Sequence, residues 1–144
     1  MKVVAYSIQP FEKESLIRAN QKKHDITLIS NPITAETVNF AVGKTAVLIS
    51  ENDRLEPQVI DKLADMGIRF IATRSTGVNH LDREAAAVRG IKLANVPEEN
   101  SQDVAGQTIR NLDLWQQEKC VGKACVCARN CRANESEAHI NQLP

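Results

Sequence analysis

The chain has 144 residues, 42% apolar and 25% charged, and its 18 Lys and Arg balance 18 Asp and Glu to a net charge of zero. That composition is globular rather than disordered. The charge balance argues against a nucleic-acid binder, which carries a basic excess, and no apolar run approaches the ~18 residues of a membrane span. The start, MKVVAYSIQPFEKE, holds no long apolar stretch, so no signal peptide is expected and the cytoplasm is the expected compartment.

Apolar runs and helix-length segments alternate along the first two thirds. MKVVAYS is a β-branched run that predicts a strand, and PFEKESLIRANQKK predicts a helix with Phe11, Leu16, Ile17 and Ala19 on its apolar stripe. DITLIS is the second strand. TAETVNFAVG predicts a helix with Thr34 as N-cap, Thr37 where a capping box places Glu or Gln, and Gly43 as the stop. TAVLIS is the third strand. EPQVIDKLADMG is a helix opened by Pro57, with Val59, Ile60, Leu63 and Met66 inward and Gly67 at its end. IRFIATRS, the helix HLDREAAAVRG (Leu81, Ala85 and Val88 inward, Gly90 after its end) and the strand IKLANVP complete the alternation. Near-continuous apolar strands separated by helices imply right-handed crossovers and a parallel sheet. The expected fold class is α/β, a doubly wound five-stranded parallel sheet of flavodoxin-like order 2-1-3-4-5.

Composition shifts near Pro97, and the organisation expected is a domain over 1–100, a helix over 101–118 and a tail over 119–144. In SQDVAGQTIRNLDLWQQE, Val104, Thr108, Leu112 and Trp115 share a stripe beside Ala105 and Ile109. That stripe must pack back on the sheet, meet a second chain in a homodimer, or stay exposed. The polar end, RNCRANESEAHINQLP, has little to bury and is expected to be disordered. Cys120, Cys125, Cys127 and Cys131 are spaced C-x4-C-x-C-x3-C, which fits neither zinc nor iron–sulfur patterns, so no metal is expected. His24 sits in a polar turn without a visible partner, and His139 lies in the tail. His80 follows the Gly77 turn, where it could sit near a ligand, although a residue in the first turn of a helix more often faces solvent.

In an open α/β sheet, ligands bind beyond the carboxyl ends of the strands. The most informative of those loops is ATRSTGVNHLD. It places Gly77 between an apolar strand and a helix start, where backbone N–H groups can approach an anion. A tight turn can equally require glycine for conformational reasons. A phosphoacceptor receiver is disfavoured, because the first strand ends in Ala5-Tyr6-Ser7 with no acidic pair.

The run RFIATRSTGVNHLDREAAAVRGIKLANVPEENSQDVAGQTI resembles the D-isomer-specific 2-hydroxyacid dehydrogenases, most of all their D-lactate dehydrogenase branch. The likeness rests on the Arg-Ser-x-Gly-x-Asn-x-x-Asp loop at Arg74 to Asp82, the Glu-Ala-Ala helix, the Gly-Ile-Lys strand at Gly90 to Lys92, and Asn95 to Pro97. It covers residues 1 to about 112. It implies the family's flavodoxin-like substrate-binding domain and a small 2-oxo or 2-hydroxy acid as ligand, its carboxylate held by the backbone N–H groups of Thr76 and Gly77. The family's next motif, Glu-Tyr-Ser-Pro-x-x-Val-Ala-Glu-His, corresponds here to Glu98 through Gln107, so the Tyr that approaches substrate is replaced by Glu99. An ionised Glu99 would repel an anionic ligand by up to about 4 kcal/mol at ~4 Å.

The family reduces 2-oxo acids with NAD, whose fingerprint is G-x-G-x-x-G. The six glycines here, at 43, 67, 77, 90, 106 and 122, form no such motif. No position matches the family's catalytic Arg, Glu and His. A truncated member, with no NAD bound by this chain alone and no activity alone, is therefore expected. The alternative is a non-catalytic flavodoxin-like module that binds a small anion or dimerises.

Overall fold

A computed structural model describes residues 1–96 and 103–119. The elements, in order, are β1 (Lys2–Ala5), α1 (Pro10–Asn20), β2 (Asp25–Leu28), a 3₁₀ turn (Thr37–Ala41), β3 (Ala46–Ile49), α2 (Pro57–Asp65), β4 (Phe70–Thr73), α3 (Arg83–Val88), β5 (Lys92–Ala94) and α4 (Val104–Gln116). The five strands form one sheet of order β2-β1-β3-β4-β5 with every pairing parallel, as the alternation implied.

Successive strand side chains point to opposite faces, and both faces are covered. On one face Val4, Tyr6, Val47, Ile49, Ile71 and Leu93 pack with Val38, Val59, Ile60, Leu63 and Ala86 from the 3₁₀ turn, α2 and α3. On the other, Val3, Ala5, Leu48, Phe70 and Ala94 pack with Leu16 of α1 and Ile109, Leu112 and Trp115 of α4. This double burial is why β3 and β4 read as unbroken apolar runs. β2 lies at the sheet edge and is only half buried.

Pro57 opens α2 as expected, and Gly67 and Gly90 take φ of +94° and +72° just past α2 and α3, a conformation only glycine adopts without strain. The segment after β2 forms a single 3₁₀ turn rather than an α-helix. Its N-cap is Glu36, without a side-chain cap, rather than Thr34; Thr34 and Thr37 instead bond reciprocally across the preceding turn, the Thr37 amide donating to Thr34 Oγ1 (3.1 Å) and the Thr34 amide to Thr37 Oγ1 (2.7 Å).

The apolar stripes of two helices depart from expectation. On α1, Phe11 and Ile17 are 75% and 57% exposed, whereas Leu16 and Asn20 are buried. Leu16 and Asn20 share the i, i+4 face that meets the sheet, and Ile17 is turned about 100° away from Leu16. Asn20 is satisfied there by exchanging two hydrogen bonds with the backbone of His24. Around α3, Leu81 is buried and Ala85 packs against the same cluster as expected, but Ala86 is the fully buried helix residue and Val88 is 83% exposed.

α4 packs back on the sheet. Thr108, Ile109, Leu112 and Trp115 are buried, and the Trp115 ring stacks on Phe70 at 4.8 Å between centroids. The stripe is therefore covered within the chain. His24, expected to lack a partner, is buried with Nε2 2.7 Å from Asp113 Oδ1 of α4 and Nδ1 3.3 Å from the N-terminal amine. Lys23 Nζ takes the other Asp113 oxygen at 3.1 Å. The expected tail, the four cysteines, His139 and Glu99 lie outside the described residues. Among the described residues, no group of three His, Cys, Asp or Glu could hold a metal, and no helix is long and apolar enough to cross a membrane.

Candidate functional site

The loops after β1, β2, β3 and β4 meet beyond the carboxyl ends of the strands. They open a cleft of about 550 Å³ whose walls include Ser7, Glu12, Ser30, Ser50, Asn52, Arg74 and Ser75, with Val104 and Ala105 of α4 on one side. One buried carboxylate gathers three of these loops. Asp53 Oδ1 accepts from Ser7 Oγ at 2.7 Å and from the Ile33 amide at 3.2 Å, and Oδ2 accepts from the Ser50 amide at 2.9 Å. Ser7 takes φ of +56°, a left-handed conformation that a non-glycine residue holds only when its surroundings enforce it. The Asp53 bond to its hydroxyl supplies part of that restraint. The neighbouring Tyr6 hydroxyl donates to the Thr37 carbonyl at 2.7 Å. Burial, reinforced by the Asp53 charge, pushes its phenol up to about 12.

Arg74 directly follows β4 and is 8% exposed. Its Nε donates to Glu12 Oε2 at 2.8 Å, and Nη2 donates to the Tyr6 and Ser7 carbonyls at 3.0 and 3.2 Å. Nη1 is buried with no hydrogen-bond partner among the described residues. The loop motif contained Arg74, but its ion pair with a residue 62 positions earlier carried no local signal. The same is true of the Asp53 clamp.

The Ser75–His80 turn follows directly. In a trans peptide the N–H points opposite the C=O, so whatever holds a carbonyl aims the next amide. The Val96 amide holds the Ser75 carbonyl at 3.1 Å, and Asn95 Nδ2 holds the Thr76 carbonyl at 2.7 Å. These two bonds from the end of β5 set the directions of the Thr76 and Gly77 N–H groups. Both residues are exposed on the turn beside Ser75, and neither is among the residues lining the cleft. The φ of Gly77 is not left-handed, and a Cβ built there would meet nothing within 4 Å. The turn itself does not demand glycine, contrary to the conformational reading of this position.

His80, expected to face solvent, is half-buried with Nε2 2.9 Å from Thr73 Oγ1. Burial pushes its pKa below the ordinary histidine value against the opposing pull of Asp53 and Glu51, with Arg54 adding to the depression.

A family model for the catalytic domain of the D-isomer-specific 2-hydroxyacid dehydrogenases matches residues 3–141. The aromatic 2-oxoacid reductase of Clostridium sporogenes is 34% identical over 110 residues, covering 76% of this chain and 33% of that protein. The D-lactate dehydrogenase of Escherichia coli is 31% identical over 110 residues, with 76% and 33% covered. The solved apo-structure of D-lactate dehydrogenase from Escherichia coli superposes with a TM-score of 0.66 at 31% identity, covering 68% of this chain and 31% of that one. D-lactate dehydrogenase from Lactobacillus jensenii, solved with NAD+, gives a TM-score of 0.63 at 26% identity, covering 79% and 35%. The chain thus spans about a third of the length of the curated relatives it matches. With the parallel sheet, the cleft at its carboxyl end and a family model running almost the whole sequence, the chain belongs to the D-isomer-specific 2-hydroxyacid dehydrogenase family.

Proposed function

We propose that these residues grip a small 2-oxo or 2-hydroxy acid by its carboxylate, as the acid-binding part of NAD-dependent D-2-hydroxyacid dehydrogenase chemistry. The carboxylate sits on the amides of Thr76 and Gly77, and the substituent on the 2-carbon extends towards the Arg74-bearing cleft. The observation that carries this reading is Gly77. Its backbone is unstrained and the space where a Cβ would lie is open, so what its lack of a side chain permits is close approach by something outside the turn. Glu99, standing where the family has a substrate-facing Tyr, is the third proposed contact, and its charge weakens the grip.

The family's cofactor does not fit the residues present. A dinucleotide needs successive glycines in a strand-to-helix turn so that backbone can approach the pyrophosphate, and no two glycines of this sequence lie within such a motif. Hydride transfer by this chain alone is therefore not expected.

Two measurements test the proposal. Calorimetric titration with pyruvate and with phenylpyruvate should give saturable binding that Gly77→Val weakens at least tenfold, or ~1.4 kcal/mol, and that Glu99→Gln strengthens. Equal affinity in Gly77→Val removes the turn from the site. NADH oxidation with either acid should stay at background, and saturable turnover by the purified chain would overturn the expectation that it is inactive alone.

A further inference from the structure

Asn95 and Val96 hold the Thr76 and Ser75 carbonyls of the turn that carries Gly77. The Gly77 carbonyl is held by a separate chain of hydroxyl groups. Ser75 Oγ is 3.0 Å from the Gly77 carbonyl, Thr73 Oγ1 is 2.7 Å from Ser75 Oγ, and His80 Nε2 is 2.9 Å from Thr73 Oγ1. Thr73 and Ser75 are 0% and 3% exposed, so both hydroxyls are shielded from bulk solvent.

Counting protons fixes the direction of this chain. A carbonyl only accepts, so the single Ser75 proton goes to Gly77. The hydrogen bond between the two hydroxyls must then use the single Thr73 proton. With that proton spent, Thr73 Oγ1 can only accept from His80, and the imidazole must carry its proton on Nε2. The backbone that carries the ring is anchored. The Leu55 amide donates to the His80 carbonyl at 2.8 Å, and Leu55 and Leu81 form a bridge that ties the turn to the loop after β3.

We propose that His80 is a positioning residue for the acid-binding turn: it donates through Nε2 into the Thr73–Ser75 relay, which pins the Gly77 carbonyl while Asn95 and Val96 hold the carbonyls of Thr76 and Ser75. This rests on reading the Thr76–Gly77 amides as the carboxylate site. His80 touches no ligand and acts through the two hydroxyls. Its depressed pKa accords with a neutral ring, whose tautomer the relay dictates.

Long-range ¹H–¹⁵N spectra of the full chain, with the resonance assigned by its loss in His80→Gln, should show neutral His80 protonated on Nε2. Protonation on Nδ1 would overturn the relay. In calorimetry with pyruvate, His80→Leu should bind several-fold more weakly, whereas His80→Gln, whose amide nitrogen can donate from the same place, should regain most of the affinity. Thr73→Val, which breaks the relay while leaving the ring, should reproduce the Leu effect. Wild-type affinity in both His80→Leu and Thr73→Val would overturn the proposal. If the wild-type chain binds no 2-oxo acid, the site reading fails. The positioning role is then decided by amide exchange at Gly77 and Val78: faster exchange in His80→Leu but not in His80→Gln supports it, and equal exchange in the two variants overturns it.

Discussion

Tyr6 shows how a single residue reports on the buried end of the sheet. It is the only tyrosine, its ring is fully buried beside Asp53, and its phenol is pushed from 10.0 to about 12, first by burial and then by that carboxylate. In the unfolded chain the proton leaves near 10, whereas in the folded chain it stays on until about 12. The unfolded state therefore binds fewer protons across that window, and stability falls as pH rises through it. The loss should amount to roughly 2–3 kcal/mol at about 1.4 kcal/mol per unit. Phenolate absorbance of the folded chain should appear only near the upper value, and the Tyr6→Phe chain should lack this part of the alkaline slope in denaturant titrations. A phenol titrating at its ordinary value in the folded chain would show that Asp53 and burial do not act on it as described. Local sequence predicts a strand end at Tyr6 and Ser7. It contains nothing about Asp53, 46 positions beyond Ser7, and so neither the clamp nor the strained Ser7 backbone was legible.

At the scale of elements, the strands were the most legible because both their faces are buried, so apolar content alone marks them. Helices were legible in position but less so in the face they present. α1 carries Phe11, Leu16 and Ile17, yet only Leu16 is buried, and the polar Asn20 takes the place next to it. Burial of Asn20 follows from its bonds to the His24 backbone, which apolar periodicity does not register. α4 shows the converse: its stripe was correctly read, and the structure supplied the surface it covers. Its docking includes the tie from Asp113 to His24 and Lys23. Burial pushes the Asp113 carboxyl up, but the hydrogen bonds and charges of His24 and Lys23 outweigh this and leave it below its ordinary 3.8. A depressed carboxylate stabilises the fold fully above its unfolded value and ceases to do so as pH falls through the folded one. Asp113→Asn should therefore cost about 1–2 kcal/mol near pH 7 and lose less further stability than the unaltered chain on going to about pH 3. Urea unfolding at both conditions measures this, and parallel acid losses in the two chains would remove the ion pair as the cause.

For the whole molecule, the two faces of the sheet carry separate apolar clusters, each with one optical probe: Tyr6 on one side and the sole tryptophan, Trp115, on the other. The strands are shared by both clusters, so neither can dissolve alone. Unfolding followed by Trp115 fluorescence and by tyrosine absorbance should give coincident transitions. An earlier Trp115 transition would mean that α4 detaches before the sheet opens. Trp115→Ala should lower stability by about 3–5 kcal/mol. Trp115→Phe should cost much less, since the indole nitrogen is buried without a partner among the described residues.

Strand and helix order, the parallel sheet and the family all follow from the order of residues alone. Apolar periodicity and turn chemistry are local, and a parallel α/β arrangement leaves few topologies for such a pattern. What the tertiary structure alone decided are the pairings across long stretches of chain: Glu12 with Arg74, Asp53 with the ends of β1 and β3, His24 with α4, and the relay from His80 to Gly77. Each depends on which side chains the crossovers bring together: the first two and the relay beyond the carboxyl ends of the strands, and His24 with α4 at the amino end of β2. That proximity is set by packing of the whole fold, and no window of sequence contains it.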